Sequence, residues 1–91
     1  MEVFDPGEVD TALADLAWER TGDEIVKVHR SADFASSLAF VNAMGVLAEE
    51  MNHHPDVDIR WNVVTLRLTS HSAGGITALD IELARRIDAL A

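Results

Sequence analysis

Apolar residues recur at helical spacing in three stretches of the chain and alternate with polar ones in others, and this pattern sets out most of an architecture. Val9, Leu13 and Leu16 space a short helix over Glu8–Leu16. Candidate strands at Ala17–Arg20 and Glu24–Arg30 follow, joined by Thr21-Gly22-Asp23, a composition suited to a hairpin turn. In the second strand Ile25, Lys27 and His29 oppose Glu24, Val26, Val28 and Arg30, an imperfect alternation. Ser31 or Asp33 then offers an N-cap to a long helix over Phe34–Asn52. Phe34, Leu38, Val41, Gly45 and Ala48 make one stripe of that helix, and Phe40, Met44, Leu47 and Met51 an adjoining one. Together they predict a broad apolar face lying on a sheet. Pro55 is expected to stop the helix, because a residue before proline is pushed out of helical geometry.

Two further strands are expected at Asp56–Trp61 and Val63–Ser70. In the latter, Val64, Leu66 and Leu68 alternate with Thr65, Arg67 and Thr69, giving one buried and one wet face. A last helix opens at Thr77, where Thr77 and Asp80 match a capping box and Ile76 and Ile81 match a hydrophobic staple. Ile81, Ala84, Ile87 and Leu90 supply its apolar stripe. The order is α-β-β-α-β-β-α. Hairpin-linked strands with helices between them predict an α+β fold, a four-stranded antiparallel sheet with helices packed on one face. The other face is left to solvent or to association.

Composition narrows the function. With 91 residues, 48% of them hydrophobic, the chain makes one self-sufficient domain over 1–91, with residues 1–7 expected to fray. There is no cysteine, which removes disulfides, thiolate metal sites and thiol nucleophiles. A formal net charge of −9 argues against direct nucleic-acid binding, since phosphates would be repelled. The chain has neither a secretory h-region at its start nor an apolar run long enough to span a membrane, and a cytoplasmic protein is expected.

The candidate chemistry lies in histidine. His53 and His54 close the long helix and His71 closes the last strand, so all three sit at element ends where side chains can converge. Imidazole is the side chain whose ordinary pKa lies near neutrality, which suits it to proton transfer. Helical neighbours point about 100° apart, so His53 and His54 could flank one ligand but would not easily chelate one ion. Glu49, four residues before His53, would share its helical face and could fix its tautomer. Against this stands a simpler reading, that His-His-Pro is a polar helix terminus favoured by the helix dipole. By residue type alone, that reading ranks first. A three-histidine zinc site is a further alternative, but neither an i, i+4 pair nor a His-x-His strand pair is present. His29 has no evident role. Asp80 reads as a cap, and Trp18 and Trp61 as core or interface aromatics.

Several of these residues form a recognisable series: Glu49-Glu50-Met51-Asn52-His53-His54-Pro55, Trp61-Asn62, and Val64-x-Leu66-x-Leu68. Ser70-His71-Ser72-Ala73-Gly74-Gly75-Ile76-Thr77, Asp80 and Leu83-Ala84 complete it, and Trp18 and Asp33-Phe34 extend it upstream. The series resembles the pterin-4a-carbinolamine dehydratase family. The resemblance implies an α+β domain that dehydrates 4a-hydroxytetrahydropterin to quinonoid dihydropterin, without metal or cofactor, in tetrahydropterin recycling after an aromatic amino-acid hydroxylase. It implies His53, His54 and His71 as the catalytic set and Glu49 as an acid orienting His53. It also implies Asn52, Pro55, Ser70, Ser72 and Ala73 at the substrate-binding walls, with main-chain groups reading the pterin's polar edge. Family members form dimers or tetramers, so a homodimer or homotetramer is expected; some vertebrate members also serve as dimerisation cofactors for a homeodomain transcription factor. A non-catalytic assembly role is therefore the alternative the resemblance carries. Ser70 stands where the family usually has Thr, Ile76 where it often has Leu, and Val57 where an aromatic is frequent.

Overall fold

The computed structural model describes residues 1–90, so the last position of the expected domain lies outside the described residues. Seven elements run in the order α1 (Pro6–Ala12), β1 (Glu19–Thr21), β2 (Glu24–Arg30), α2 (Phe34–Met51), β3 (Asp56–Arg60), β4 (Val63–Leu68) and α3 (Ala78–Asp88). The strands form one antiparallel sheet in the order β1-β2-β4-β3. This is the α+β arrangement the hydrophobic pattern predicted.

Register decides what faces the helices. Ile25 pairs with Leu68, Lys27 with Leu66, which on its other side pairs with Val57, and His29 with Val64, which on its other side pairs with Ile59, so these side chains share the inner face. Ile25, Val64, Leu66 and Leu68 are fully buried there, against Met44 and Ala48 of α2 and Ile81, Leu83, Ala84 and Ile87 of α3. Burial of each large aliphatic contributes about 1.5–3 kcal/mol, so this layer dominates the stability of the domain. The outer face carries Glu24, Val26, Val28, Arg30, Thr65 and Arg67. The α2 stripes divide unequally: Met44 and Ala48 are buried, while Phe34 and Leu38 remain exposed.

Three local expectations change. The first helix starts at Pro6, not Glu8, because Asp5 caps it: Asp5 Oδ1 accepts from the Glu8 N–H and Glu8 Oε1 accepts from the Asp5 N–H. Nor is the start of the chain frayed through residue 7; the Phe4 N–H donates to the Ile76 carbonyl at 2.8 Å. Finally, α2 ends at Met51 through Asn52, which adopts φ 48°, ψ 45°. The His53 N–H donates to the Ala48 carbonyl and the Asn52 N–H to the Glu49 carbonyl, a Schellman closure. Pro55 lies beyond the stop and does not cause it.

Candidate active site

The Schellman closure turns the chain out of the helix before the two histidines. His53 and His54 therefore lie on the segment joining α2 to β3, not on a helical face, and the 100° spacing does not apply to them. Across from this segment, β4 runs out at Leu68 and the chain folds back on itself. The carbonyl of Ser70 accepts from the N–H groups of Ala73, Gly74 and Gly75, and the Ser70 N–H donates to the Gly75 carbonyl. Gly74 sits at φ 83°, the left-handed region that disfavours a side chain. The tight turn this makes presents His71 and Ser72 outward.

Between segment and turn is a cavity of about 460 Å³, lined by Asn52, His53, His54, Thr69, Ser70, His71, Ser72 and Ala73, with Met1 and Leu79 completing it. All three histidines meet there. Of the expected wall residues, Asn52, Ser70, Ser72 and Ala73 line it and Pro55 does not; nor does Glu49, the acid expected beside His53. The volume lies in the range usual for small-molecule sites.

The three imidazoles have different surroundings. His53 is nearly buried and its Nε2 lies 2.5 Å from Oδ1 of Asp80, whose side chain is wholly buried. Asp80 Oδ2 accepts from the Thr77 N–H and from Ser70 Oγ, both at 2.9 Å. Ser70 spends its single proton on that carboxylate, so the 2.8 Å contact between the two hydroxyls has Thr77 donating to Ser70. A carboxylate so surrounded can only accept, so His53 carries its proton on Nε2 and leaves Nδ1 for a ligand. His54, by contrast, is half-exposed, and its Nε2 meets Oε2 of the exposed Glu49 at 2.5 Å. His71 is exposed and makes no side-chain hydrogen bond among the described residues.

The carboxylate in contact with His53 is thus not the expected one. Glu49 pairs with His54, because the chain leaves the helix before it could bring His53 back over Glu49. Asp80, read as a cap alone, both caps α3 and holds His53. Ser70 lines the cavity, but its hydroxyl serves Asp80 and Thr77 rather than a ligand. The main-chain donors narrow too: the N–H groups of Ala73, Gly74 and Gly75 are bound within the turn, which leaves those of His71 and Ser72 without a protein acceptor among the described residues. Among those residues no group of three or more His, Asp or Glu side chains is placed to hold a metal ion.

An antiparallel sheet backed by helices, with imidazoles gathered around a cavity at one end of it, makes this a small α+β domain with a histidine-lined pocket. The chain belongs to the pterin 4 alpha carbinolamine dehydratase family, whose model matches residues 2–90. A Nocardia farcinica relative is 47% identical over 99% of this chain and 96% of its own length, and one from a Roseiflexus species is 50% identical over 89% and 88%. Both bear the name "Putative pterin-4-alpha-carbinolamine dehydratase". The crystal structure of a Brucella melitensis transcriptional coactivator/pterin dehydratase superimposes with a TM-score of 0.93, at 30% identity and 99% coverage of both chains. A pterin dehydratase-like protein identified as a RuBisCO assembly factor in the alpha-carboxysome matches with a TM-score of 0.66, at 25% identity, over 84% of this chain and 88% of its own.

Proposed function

We propose that the protein dehydrates 4a-hydroxytetrahydropterin to quinonoid dihydropterin in tetrahydropterin recycling, using His53, His54 and His71 as proton carriers. The observation that carries this reading is their convergence on one cavity of substrate size. In the reaction the C4a–O bond breaks and the hydroxyl leaves as water, taking a proton from a general acid. The neighbouring ring nitrogen gives its proton to a general base, and its electron pair closes the C=N bond. Substrate thus becomes product plus water, with protons exchanged through imidazole. His53 is the pre-oriented member, fixed in one tautomer by Asp80, with Nδ1 as its working nitrogen. His54 and His71 are the more accessible members and can serve the leaving hydroxyl from different sides.

The test follows the decay of 4a-hydroxypterin absorbance with purified protein and no added metal. Acceleration is expected, and His54→Ala or His71→Ala should abolish most of it, about 100-fold or more if either moves a proton in the transition state. Full activity in either variant would overturn its assignment.

A second reading is an assembly role on the same fold. Phe34, Leu38 and Val46 on α2, Val28 on the outer sheet face and Trp61 at a hairpin tip are exposed, as an association surface requires. In this reading the protein binds a protein partner, as a dimerisation or assembly factor. Pull-down with the wild type and with the triple histidine variant tests it: a stable partner complex unaffected by the histidine substitutions supports the second reading, and no partner recovered opposes it.

A further inference from the structure

Apart from Met1, Ala73 and Leu79, every residue lining the histidine cavity has a polar side chain. A fused planar heterocycle presents hydrogen-bonding edges and two flat faces; an imidazole can stack on one face, whereas hydroxyls and amides serve the other poorly. The Ala73 methyl is short, and Leu79 is partly covered in the first turn of α3. Met1 comes from elsewhere in the chain, is 74% exposed, and carries a flexible, polarizable thioether of the kind that packs well on aromatic rings.

The segment behind Met1 is held in place. The Phe4 N–H donates to the Ile76 carbonyl, and Asp5 closes the capping box of α1. Between these anchors and the cavity lies Val3. A Cβ added to Gly75 would stand 2.8 Å from Val3 Cγ1, closer than side chains ever pack. Gly75 is buried and, unlike Gly74, has no left-handed φ to explain it. The glycine makes room for Val3. Gly75 also closes the His71 turn through its paired contact with Ser70. Val3 therefore presses on the residue that fixes the loop carrying His71.

We propose that Met1 forms a wall of the substrate site, in which its thioether packs on a face of the bound pterin ring and the Val3–Gly75 contact locks the segment behind it to the His71 turn. The identity of the ligand rests on the dehydratase reading, so binding and turnover are measured separately. The binding probe is a 7,8-dihydropterin, which has no 4a-hydroxyl to lose, followed by its fluorescence. Met1→Ala, made by cleaving an N-terminal fusion, is expected to raise both the dihydropterin Kd and the dehydratase KM by about three- to tenfold. It should leave kcat within about twofold, and Met1→Leu should recover much of the affinity. Gly75→Ala should weaken binding in the same way by displacing Val3, and adding Val3→Ala should restore it. Met1 is an exposed position whose replacement leaves folding intact, so that arm reads the contact even if Gly75→Ala destabilises the chain.

Unchanged Kd and KM in Met1→Ala would overturn the wall, as would failure of Val3→Ala to rescue Gly75→Ala. If wild-type protein binds the dihydropterin in a Met1-dependent way but does not dehydrate, the wall stands and the dehydratase reading falls. If it dehydrates and Met1→Ala changes nothing, the wall alone falls. If it neither binds the dihydropterin nor dehydrates, both fall.

Discussion

The carboxylate of Asp80 holds His53 through one oxygen and closes the start of α3 through the other, although 27 residues separate the two side chains in the chain. One buried group thus couples helix capping to the orientation of an imidazole in the cavity. The two duties can be taken apart. Thr77→Ala removes the hydroxyl half of the capping box and leaves the His53 contact; it should cost about 1 kcal/mol of stability with kcat kept within about threefold. Asp80→Asn removes the charge that fixes the His53 tautomer and should lower kcat by about 100-fold or more. Paired thermal unfolding and dehydratase assays check this, and equal kcat losses in the two variants would mean that Asp80 acts only as a cap.

Glu49 meets His54 at the surface, and both side chains are at least half exposed. An ion pair in water contributes between about 0 and 1 kcal/mol and is screened by salt. Glu49→Gln should therefore leave the unfolding midpoint almost unchanged and reduce kcat far less than Asp80→Asn does. Its effect should shrink further between low and high ionic strength. A kcat loss as large as that of Asp80→Asn would restore Glu49 to the orienting role.

What was readable in the sequence was what short-range chemistry decides. The alternation over Glu24–Arg30 and the Thr77-x-x-Asp80 cap are each settled by a few adjacent residues, and both appear in the fold where expected. The capping box at Asp5 and Glu8 was equally local, and it places the first helix earlier than the apolar spacing alone does. The three histidines were found by residue type and family likeness, but their partners were not. Periodicity carried the helix past Met51 and so put Glu49 over His53; a left-handed Asn52 is invisible to periodicity and redirects everything after it. The Asp80–His53 contact and the Val3–Gly75 fit depend on how α3 and the start of the chain pack, which no local pattern encodes.

Asp88 ties the end of α3 to the first hairpin. Its Oδ2 accepts from the Ala17 N–H at 2.7 Å, and its Oδ1 accepts from Trp18 Nε1 and from the Lys27 ammonium, both at 2.9 Å. Burial alone would raise the Asp88 pKa, but these donors and the Lys27 charge outweigh it and hold the pKa below the ordinary value. A depressed carboxylate pKa gives stability that is full above the unfolded value of about 3.9 and is lost as pH falls through the folded one. Asp88→Ala strands a buried ammonium and two N–H donors, and should cost about 3 kcal/mol at pH 7. Lys27→Met leaves the carboxylate two donors and should cost less. Urea midpoints at pH 7 rank the two variants, and equal losses would show that the pair, not its stranded half, sets the cost.

His29 works in the same sense, at higher pH. Its ring stacks on Phe40, with centroids 3.7 Å apart and an interplanar angle of 12°. Burial first, and then the charge of Lys27, lower its pKa below the ordinary histidine value. The unfolded chain therefore takes up a proton here before the folded protein does. The contribution is full above about pH 6.5 and declines as pH falls from there through the folded pKa, below which it is lost. His29→Phe keeps a ring against Phe40 and removes the titration, so its urea midpoint should fall less than that of the wild type between pH 7 and pH 5. The comparison isolates His29 because His53, His54 and His71 are present in both proteins. Identical pH slopes would show that the stacked ring contributes no linkage.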